Sequence, residues 1–476
     1  MIGSKQFTIG PEDIVRGVAS SDYVSDGGLS NLSTFGMNLT VKPGVLFGAA
    51  TTVNAGGTFT GLPIASCGDS INGFLRVVLT DNGKVFTWDG SSFTERVDSS
   101  STYQQGISDI IQYKGYTYIS SLVDVAQITG ATFGTINEDW WSADVTTGTA
   151  LTTGVPHPMV IFEDNLWIGN GNKLHKFDGT TIDTVGSEGF LTLPTGQTIV
   201  TLAVDPNSGK MLISVTEGTA NIGGTLSMVP KVHLYDGFSL KVIRAVIVDD
   251  IVTAMYPVGG VVYMAYGKNL GYWNGSGINW MRKFKNVTLT QNSLVYKHKI
   301  TNIDKTLYII DGAEVLAYGE VLPGKPKVFY PAAQNASGTV QSFICNLGSG
   351  KLGFGSGNTA SPFFWTFDTT SSATTDSINF YSRKYRFKKK VILREITFQY
   401  LNTVAAGANA ATVVAINQTG TTNMSALTNG ESAAVYELSC LPAEEIPASK
   451  YIQFQYQGTA VNYGIEQITV SYDEVE

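Results

Sequence analysis

The sequence predicts an all-β protein: a β-propeller of six or seven blades, some degenerate, followed by a C-terminal antiparallel β-sandwich. Three observations lead there. The first is composition, with 52 glycines among 476 residues and only 15% charged side chains. An interior glycine costs a helix about 1 kcal/mol, and coiled coils need abundant Glu, Lys and Arg, so helical architectures are excluded. A 43% hydrophobic share excludes disorder as well. The second observation is a hairpin that recurs along the middle of the chain, punctuated by Asp-Gly or Asn-Gly. The third is period-two alternation of apolar and polar residues near the end of the chain.

The recurring unit begins with Phe74-Leu-Arg-Val-Val-Leu-Thr80, a turn at Asp81-Asn-Gly-Lys84, Val85-Phe-Thr-Trp88 and then Asp89-Gly90. Two β-rich runs joined by Asn-Gly read as a hairpin. The pattern returns as Pro158–Gly169, Leu174–Phe177 and Asp178-Gly179. It returns again as Ile199–Val204, Met211–Val215, Val232–Tyr235 and Asp236-Gly237, and then as Val261–Tyr266, Leu270–Trp273 and Asn274-Gly275. Leu307–Ile310 and Val315–Tyr318 flank Asp311-Gly312 at an inner turn. Ile110–Gln112 and Thr117–Ser120, joined through Tyr113-Lys-Gly-Tyr116, lack the marker, and Leu352–Gly355 with Phe363–Asp368 reads as a last, degenerate unit. A period of roughly 40–50 residues suits a propeller blade, because one small sheet exposes two apolar faces and radial packing buries both. The aromatic before Asp-Gly (Trp88, Phe177, Tyr235) is expected to anchor the core beside a tight turn.

Three segments follow: an N-terminal arm at 1–61, the propeller at 62–368 and the sandwich at 369–476. Within the arm, Asp26–Asn31 reads as a turn, Met37–Gly44 as a strand entering the propeller, and Gly48–Gly61 as a long small-residue loop. Thr369–Thr375 reads as a polar linker. Sandwich strands are expected at Ser377–Phe387, Val391–Tyr400, Thr412–Ile416, Ala434–Leu441, Tyr451–Gln457 and Ile465–Val470.

Net charge is −8 with a pI near 5.2, unsuited to a dedicated nucleic-acid binder. Cys67, Cys345 and Cys440 are odd in number and far apart, giving neither a disulfide framework nor a zinc pattern. No metal or cofactor is expected. The first residues contain no apolar run resembling a signal peptide, and no apolar window is long enough to span a membrane.

The patterns that suggest phosphate or metal chemistry fail on context. Gly348-Ser-Gly350-Lys-Leu-Gly353 spells a dinucleotide fingerprint without a following helix, and in Gly319–Lys325 Pro326 replaces the Ser/Thr of a P-loop. Asp205-Pro-Asn-Ser-Gly209 resembles the start of a calcium loop, but Thr216 stands where a bidentate glutamate is required, so a β-turn is expected. A glycosidase needs two opposed carboxylates; Asp81, Asp124, Glu163 and Asp164 are candidates, although Asp is also favoured in turns for bonding its own backbone. No catalytic residue is assigned.

Two stretches are candidate interfaces. Arg383, Lys384, Arg386, Lys388, Lys389 and Lys390 fall within eight residues, interleaved with Tyr385 and Phe387. They suit an acidic partner or nucleic acid, or else a strand with basic side chains on its solvent face and the aromatics turned inward. Trp140 and Trp141 form a docking hot spot or sugar platform if exposed, and anchor a loop if buried.

The Asp-Gly-punctuated repeats, the arm through Val41-Lys-Pro-Gly44 and the terminal β-domain together resemble β-propeller virion proteins of tailed bacteriophages. The tail nozzle (tail tubular) proteins of short-tailed phages are the nearest match, over residues 20–476. The resemblance rests on architecture rather than a diagnostic motif. It implies a non-enzymatic homo-oligomeric ring, usually hexameric, below the portal and adaptor, in contact with tail fibres and surrounding the channel for DNA ejection. Assembly in the host cytoplasm and residence in the virion tail follow. The basic run departs from the pattern, because a DNA conduit is expected to repel phosphate. The alternatives are a carbohydrate-binding or glycoside-hydrolysing propeller, and a receptor-facing tail fibre or spike component.

Overall fold

The computed structural model describes residues 4–14, 37–38, 47–48, 53–54, 59–68, 76–98, 109–129, 134–141, 151–183, 190–217, 229–284, 298–312, 314–321, 324, 326–334, 341–358, 361–369, 378–458 and 463–475. The turn expected at Asp26–Asn31, the Val41–Gly44 entry and most of the Thr369–Thr375 linker lie outside them.

Seven antiparallel sheets follow one another along the chain. Blade one comprises Pro63–Cys67, Arg76–Thr80, Val85–Trp88 and Phe93–Val97, and blade two Asp109–Tyr113, Tyr116–Ser120, Val125–Thr129 and Thr135–Asn137. Blade three comprises Met159–Phe162, Asn165–Asn170, Lys173–Phe177 and Ile182–Asp183, with Leu191–Thr192 as a fifth strand also paired to Lys173–Phe177, and blade four Gln197–Asp205, Lys210–Glu217, Lys231–Tyr235 and Arg244–Ile247. Blades five and six run Val252–Val258, Val261–Tyr266, Asn269–Trp273, Ile278–Lys283 and then Ile300–Ile303, Thr306–Asp311, Glu314–Gly319, Val328–Gln334. Blade seven takes Gln341–Gly348, Lys351–Asn358 and Ser361–Asp368 from the end of the repeat region. Its fourth strand is Val53–Asn54, from the N-terminal arm, paired to Thr366 and Trp365. The first strand of every blade lies against that of the next, and the ring closes between Gln341–Gly348 and Pro63–Cys67. The chain is therefore a seven-bladed propeller, and the unit read as degenerate is a full blade completed from a distance.

Apolar side chains fill the gaps between blades. Ile64 and Ile128 lie in the core between blades one and two, Tyr118 and Phe177 between two and three, and Trp167 and Tyr235 between three and four. Trp273 and Met264 lie between four and five, Leu270 and Leu307 between five and six, and Trp88 and Phe343 between seven and one. Burying a side chain of this size stabilises by roughly 1.5–3 kcal/mol. Trp88, Phe177 and Tyr235 are all buried, as their position before Asp-Gly led one to expect.

The marker has a single structural meaning in four blades. Asp89, Asp178, Asp236 and Asn274 each stand between the third and fourth strands. Their Oδ1 atoms accept the backbone N–H groups two and three residues on, at 2.7–2.9 Å. The following glycine has φ between 83° and 106°, the left-handed region that side chains avoid. The two backbone donors hold Asp236 down at about 2 and lower Asp89 and Asp178. Asp311 differs, since its turn joins the second and third strands of blade six.

Blade three carries a less suited turn. Glu163 (φ 49°) and Asp164 (φ 55°) bridge Phe162 and Asn165 where a two-residue hairpin favours Asn-Gly. Glu163→Asn with Asp164→Gly is expected to raise stability by about 1 kcal/mol, read as a higher urea midpoint. The Lys114–Asp164 ion pair lost with it (3.3 Å) is exposed and offsets little.

The C-terminal body is a nine-stranded assembly folded over on itself. Two separate strands were expected over Ser377–Phe387 and Val391–Tyr400. Instead, Asn379–Tyr381 is followed by one 20-residue strand, Tyr385–Val404. Its register shifts between Arg386 and Val391, where it passes from Ser449–Gly458 on one side to Ile465–Val475 on the other. The shift lets a single strand serve both layers. Phe398 packs on Phe454 and Tyr456 at ring-centroid distances of 6.0 and 5.0 Å, joining the layers across the core. An edge strand comes from the arm: Lys5–Ile9 pairs with Ile465–Val475 from Lys5↔Tyr472 to Ile9↔Ile468. The arm thus belongs to both bodies. The sandwich core is also continuous with the core between blades six and seven, through Tyr308, Phe354 and Phe367.

Candidate functional site

The seven inner strands enclose a cavity of about 390 Å³, lined largely by apolar side chains such as Ile110, Met159, Leu202, Met255, Ile300 and Ile344. One polar cluster interrupts it. Asp109, at the start of blade two, and His298, just before blade six, are 2% and 8% exposed. His298 Nδ1 faces the Ser66 N–H of blade one at 3.5 Å, and Nε2 lies 2.9 Å from Asp109 Oδ1. A ring nitrogen that accepts leaves the other to donate, so the Nε2–H points at the carboxylate. Asp109 also accepts the N–H of Ile110 (2.9 Å) and that of Met159 in blade three (3.0 Å). Arg76 Nε donates to the Asn346 carbonyl between blades one and seven, and Asn346 Nδ2 to the Asn302 carbonyl of blade six at 2.8 Å. The first set of contacts links blades six, one, two and three, and the second links blades one, seven and six.

The basic strand lies on the sandwich. Tyr385 packs on Phe7 (4.3 Å between centroids) and Phe387 on Tyr472 (4.7 Å), both half-buried. Arg386, Lys388, Lys389 and Lys390 are exposed, the three lysines within the register shift of the long strand. Arg383 lies over the Tyr385 ring (5.0 Å) and Lys384 over Tyr451 (5.5 Å), the distances of a cation–π contact. Aromatics inward and cations outward is the second of the two arrangements expected from the sequence. Arg386 and Lys388–Lys390 are presented to solvent, Arg383 and Lys384 are half-buried against their rings, and none of the six lines the propeller cavity.

Trp140 and Trp141 are covered within the protomer, at 5% and 1% exposure. Trp140 meets Tyr118 (4.8 Å) and Phe177 (5.1 Å), and Trp141 meets His175 (5.0 Å), so the pair anchors its segment between blades two and three. A sugar platform or docking hot spot on the free protomer is thereby corrected. The candidate carboxylates do not converge either: Asp81 accepts the Leu62 N–H, Asp124 the Val125 N–H within its own turn, and Glu163 and Asp164 form the blade-three hairpin tip. In the segment spelling a dinucleotide fingerprint, Gly348 and Gly350 serve a hairpin turn, and a Cβ on Gly353 would collide with the Phe364 ring. Asp205–Gly209 is a turn, closed by the Gly209 N–H on the Asp205 carbonyl (2.9 Å).

Beneath Trp141, two buried histidines face each other's field. His157 Nδ1 lies 3.1 Å from the Gly169 carbonyl and His175 Nε2 3.4 Å from Asn170 Nδ2. His157 Nε2 and His175 Nδ1 have no partner among the described residues. Burial lowers both from 6.5 to about 4, and Lys173 works the same way on His175. Between those values the unfolded chain binds protons that the native chain does not. Stability is therefore expected to fall as pH drops from 6.5 to 4, by about 3 kcal/mol per histidine. Urea unfolding at stepped pH checks this, with a flatter profile expected for the His157→Gln/His175→Gln variant.

Among the described residues no helix is long and apolar enough to cross a membrane. No family model and no curated protein matches the sequence. Among solved structures, the chain is similar to YCF48 bound to a D1 peptide, at 8% identity over 67% of this chain and 94% of that one, with a TM-score of 0.43. It is similar also to the Pan2 WD40 domain of Neurospora crassa (8%, 65% and 89%, TM-score 0.42) and to YCF48 from Cyanidioschyzon merolae (9%, 67% and 98%, TM-score 0.41). The sheets themselves establish the architecture: the chain is a seven-bladed β-propeller, closed by a strand from its N-terminal arm and joined to a β-sandwich that the same arm completes.

Proposed function

We propose that the chain is a structural subunit of a tailed-phage virion, of the tail nozzle kind, in which copies form a ring, usually of six, around the DNA-ejection channel. The observation that supports this reading is the double use of the arm, with Lys5–Ile9 sealing the sandwich and Val53–Asn54 sealing blade seven. A sheet edge closed by a distant strand resists opening, and a core shared between two bodies opposes hinging. Such a protomer suits a part that must keep its shape under load. The propeller channel, narrow and tied across by His298 and Asp109, does not carry DNA; in this reading DNA passes through the lumen formed between protomers. The exposed Arg386 and Lys388–Lys390 offer a contact for acidic neighbours such as a portal, adaptor or fibre protein.

Native mass spectrometry tests it. A ring of six has a mass of about 306 kDa, six times 51.0 kDa, and a monomer that enters a ring only with portal or adaptor proteins supports the same reading. A stable monomer that enters no such ring and binds sugars on a glycan array overturns it.

A further inference from the structure

Apolar surface stays accessible inside the propeller. Ile161 is 41% exposed, Pro257 is exposed, and Ile111, Val160, Val204 and Tyr256 are half-buried, all on the wall of the cavity between the inner strands. These residues come from blades two to five, so the accessible surface runs round more than half of the channel. Open apolar surface in a concave site is stabilised when an apolar group covers it. The volume, about 390 Å³, falls within the roughly 300–1,000 Å³ of small-molecule pockets, which pair an apolar wall with a few polar groups.

The polar part of the wall has one sign. Arg76 lines the cavity, and no Asp, Glu or Lys does. Its Nε donates to the Asn346 carbonyl, its one hydrogen bond among the described residues. The Nη1 and Nη2 groups remain, a planar pair of donors with the geometry of a carboxylate. The charge acts on the wall itself, since it opposes the burial that raises the Cys345 thiol. Asp109 stands across the His298 ring from Ser66; it is 2% exposed, accepts from Ile110, Met159 and His298, and does not line the cavity. We propose that the cavity binds a small organic acid with an apolar chain, its carboxylate on the Nη groups of Arg76 and its chain along the wall formed by Ile111, Val160, Ile161, Val204 and Tyr256. A ligand so placed touches blade one and blades two to five together, and binding to the folded chain alone raises its stability by mass action. The inference is independent of the virion reading, because the channel lies within one protomer.

Isothermal titration calorimetry on the full chain tests it, with sodium octanoate and 1-octanol as probes of equal chain length. Wild type is expected to bind one octanoate per chain, and 1-octanol at least about tenfold more weakly, because the alcohol offers no charge to the guanidinium. Arg76→Gln is expected to bind the two probes alike, at the strength with which wild type binds the alcohol. Ile161→Trp, a larger side chain at an exposed position of the wall, is expected to lose both. Thermal melts without ligand check that each variant is folded, and octanoate is expected to raise the melting temperature of wild type and not of Ile161→Trp. The comparison of the two probes on wild type needs no variant. Wild type that binds no octanoate, or binds both probes equally, overturns the inference. Undiminished binding by Ile161→Trp places the ligand outside the channel and overturns it too, as does a preference for octanoate that persists in Arg76→Gln.

Discussion

Tyr235→Ala is expected to lower folding stability by about 3–5 kcal/mol, whereas Tyr235→Phe leaves it unchanged or raises it. The ring is wholly buried between blades three and four, edge-on to Trp167 at 5.7 Å and surrounded by Phe162, Met211 and Ile213. Truncation removes the contacts of both blades with a side chain that neither can replace, because each sheet is held by its own ladder and cannot collapse into the gap. The hydroxyl behaves oppositely. It has no hydrogen-bond partner among the described residues, and burial raises the phenol above its ordinary value. Removing it takes away an unpaid desolvation and no bond. Trp88→Ala and Phe177→Ala are expected to cost a similar amount. Urea midpoints measured for the three alanine variants decide the matter, and unchanged midpoints in all three refute the assignment of core anchors.

His298→Ala is expected to cost about 2–3 kcal/mol, because the buried Asp109 carboxylate loses the imidazole N–H that it accepts. Asp109→Ala is expected to cost as much by another route. It takes an acceptor from the N–H groups of Ile110 and Met159 and from the His298 Nε2–H, and a buried donor left unsatisfied costs about 1–3 kcal/mol. The double variant is expected to be less destabilised than the sum of the two, since each single change already breaks the shared contact. Unfolding free energies from the four-member cycle measure that coupling. A coupling of zero would falsify the pairing across the channel. Because the cluster joins blades on both sides of the ring closure, the single variants are also expected to gain protease sensitivity in the intact chain.

Most of the propeller was legible because blades are built from local signals. A hairpin such as Tyr113-Lys-Gly-Tyr116 carries its turn and both its strands within a few residues. The Asp-Gly marker records an Asx turn that the sequence spells out in four residues, as at Asp89–Ser92 and Asp178–Thr181. Pairings between distant segments were illegible for the converse reason. Val53–Asn54 is too short to show alternation, and nothing near it points to Trp365. Lys5–Ile9 reads as an isolated apolar-polar run, and its partner is the last described strand. His298 and Asp109 are 189 residues apart, one scattered histidine and one of many turn-like aspartates until the ring brings them together. The basic run was visible as composition, and the inward packing of Tyr385 and Phe387 followed from alternation.

The pairing of Lys5–Ile9 with Ile465–Val475 also sets a clock on biosynthesis. Gln6 and Ser471, joined side chain to side chain at 3.0 Å, are separated by 465 positions. At roughly 5–20 residues per second, a ribosome needs about half a minute to a minute and a half to make the second partner after the first. Blades one to six can close as they emerge, but Val53–Asn54 must wait for blade seven, and Lys5–Ile9 for the end of the sandwich. A chain interrupted before that point leaves an unpaired strand at one end and an incomplete sheet at the other. The arm therefore completes both bodies only after blade seven and the sandwich strand Ile465–Val475 have been made.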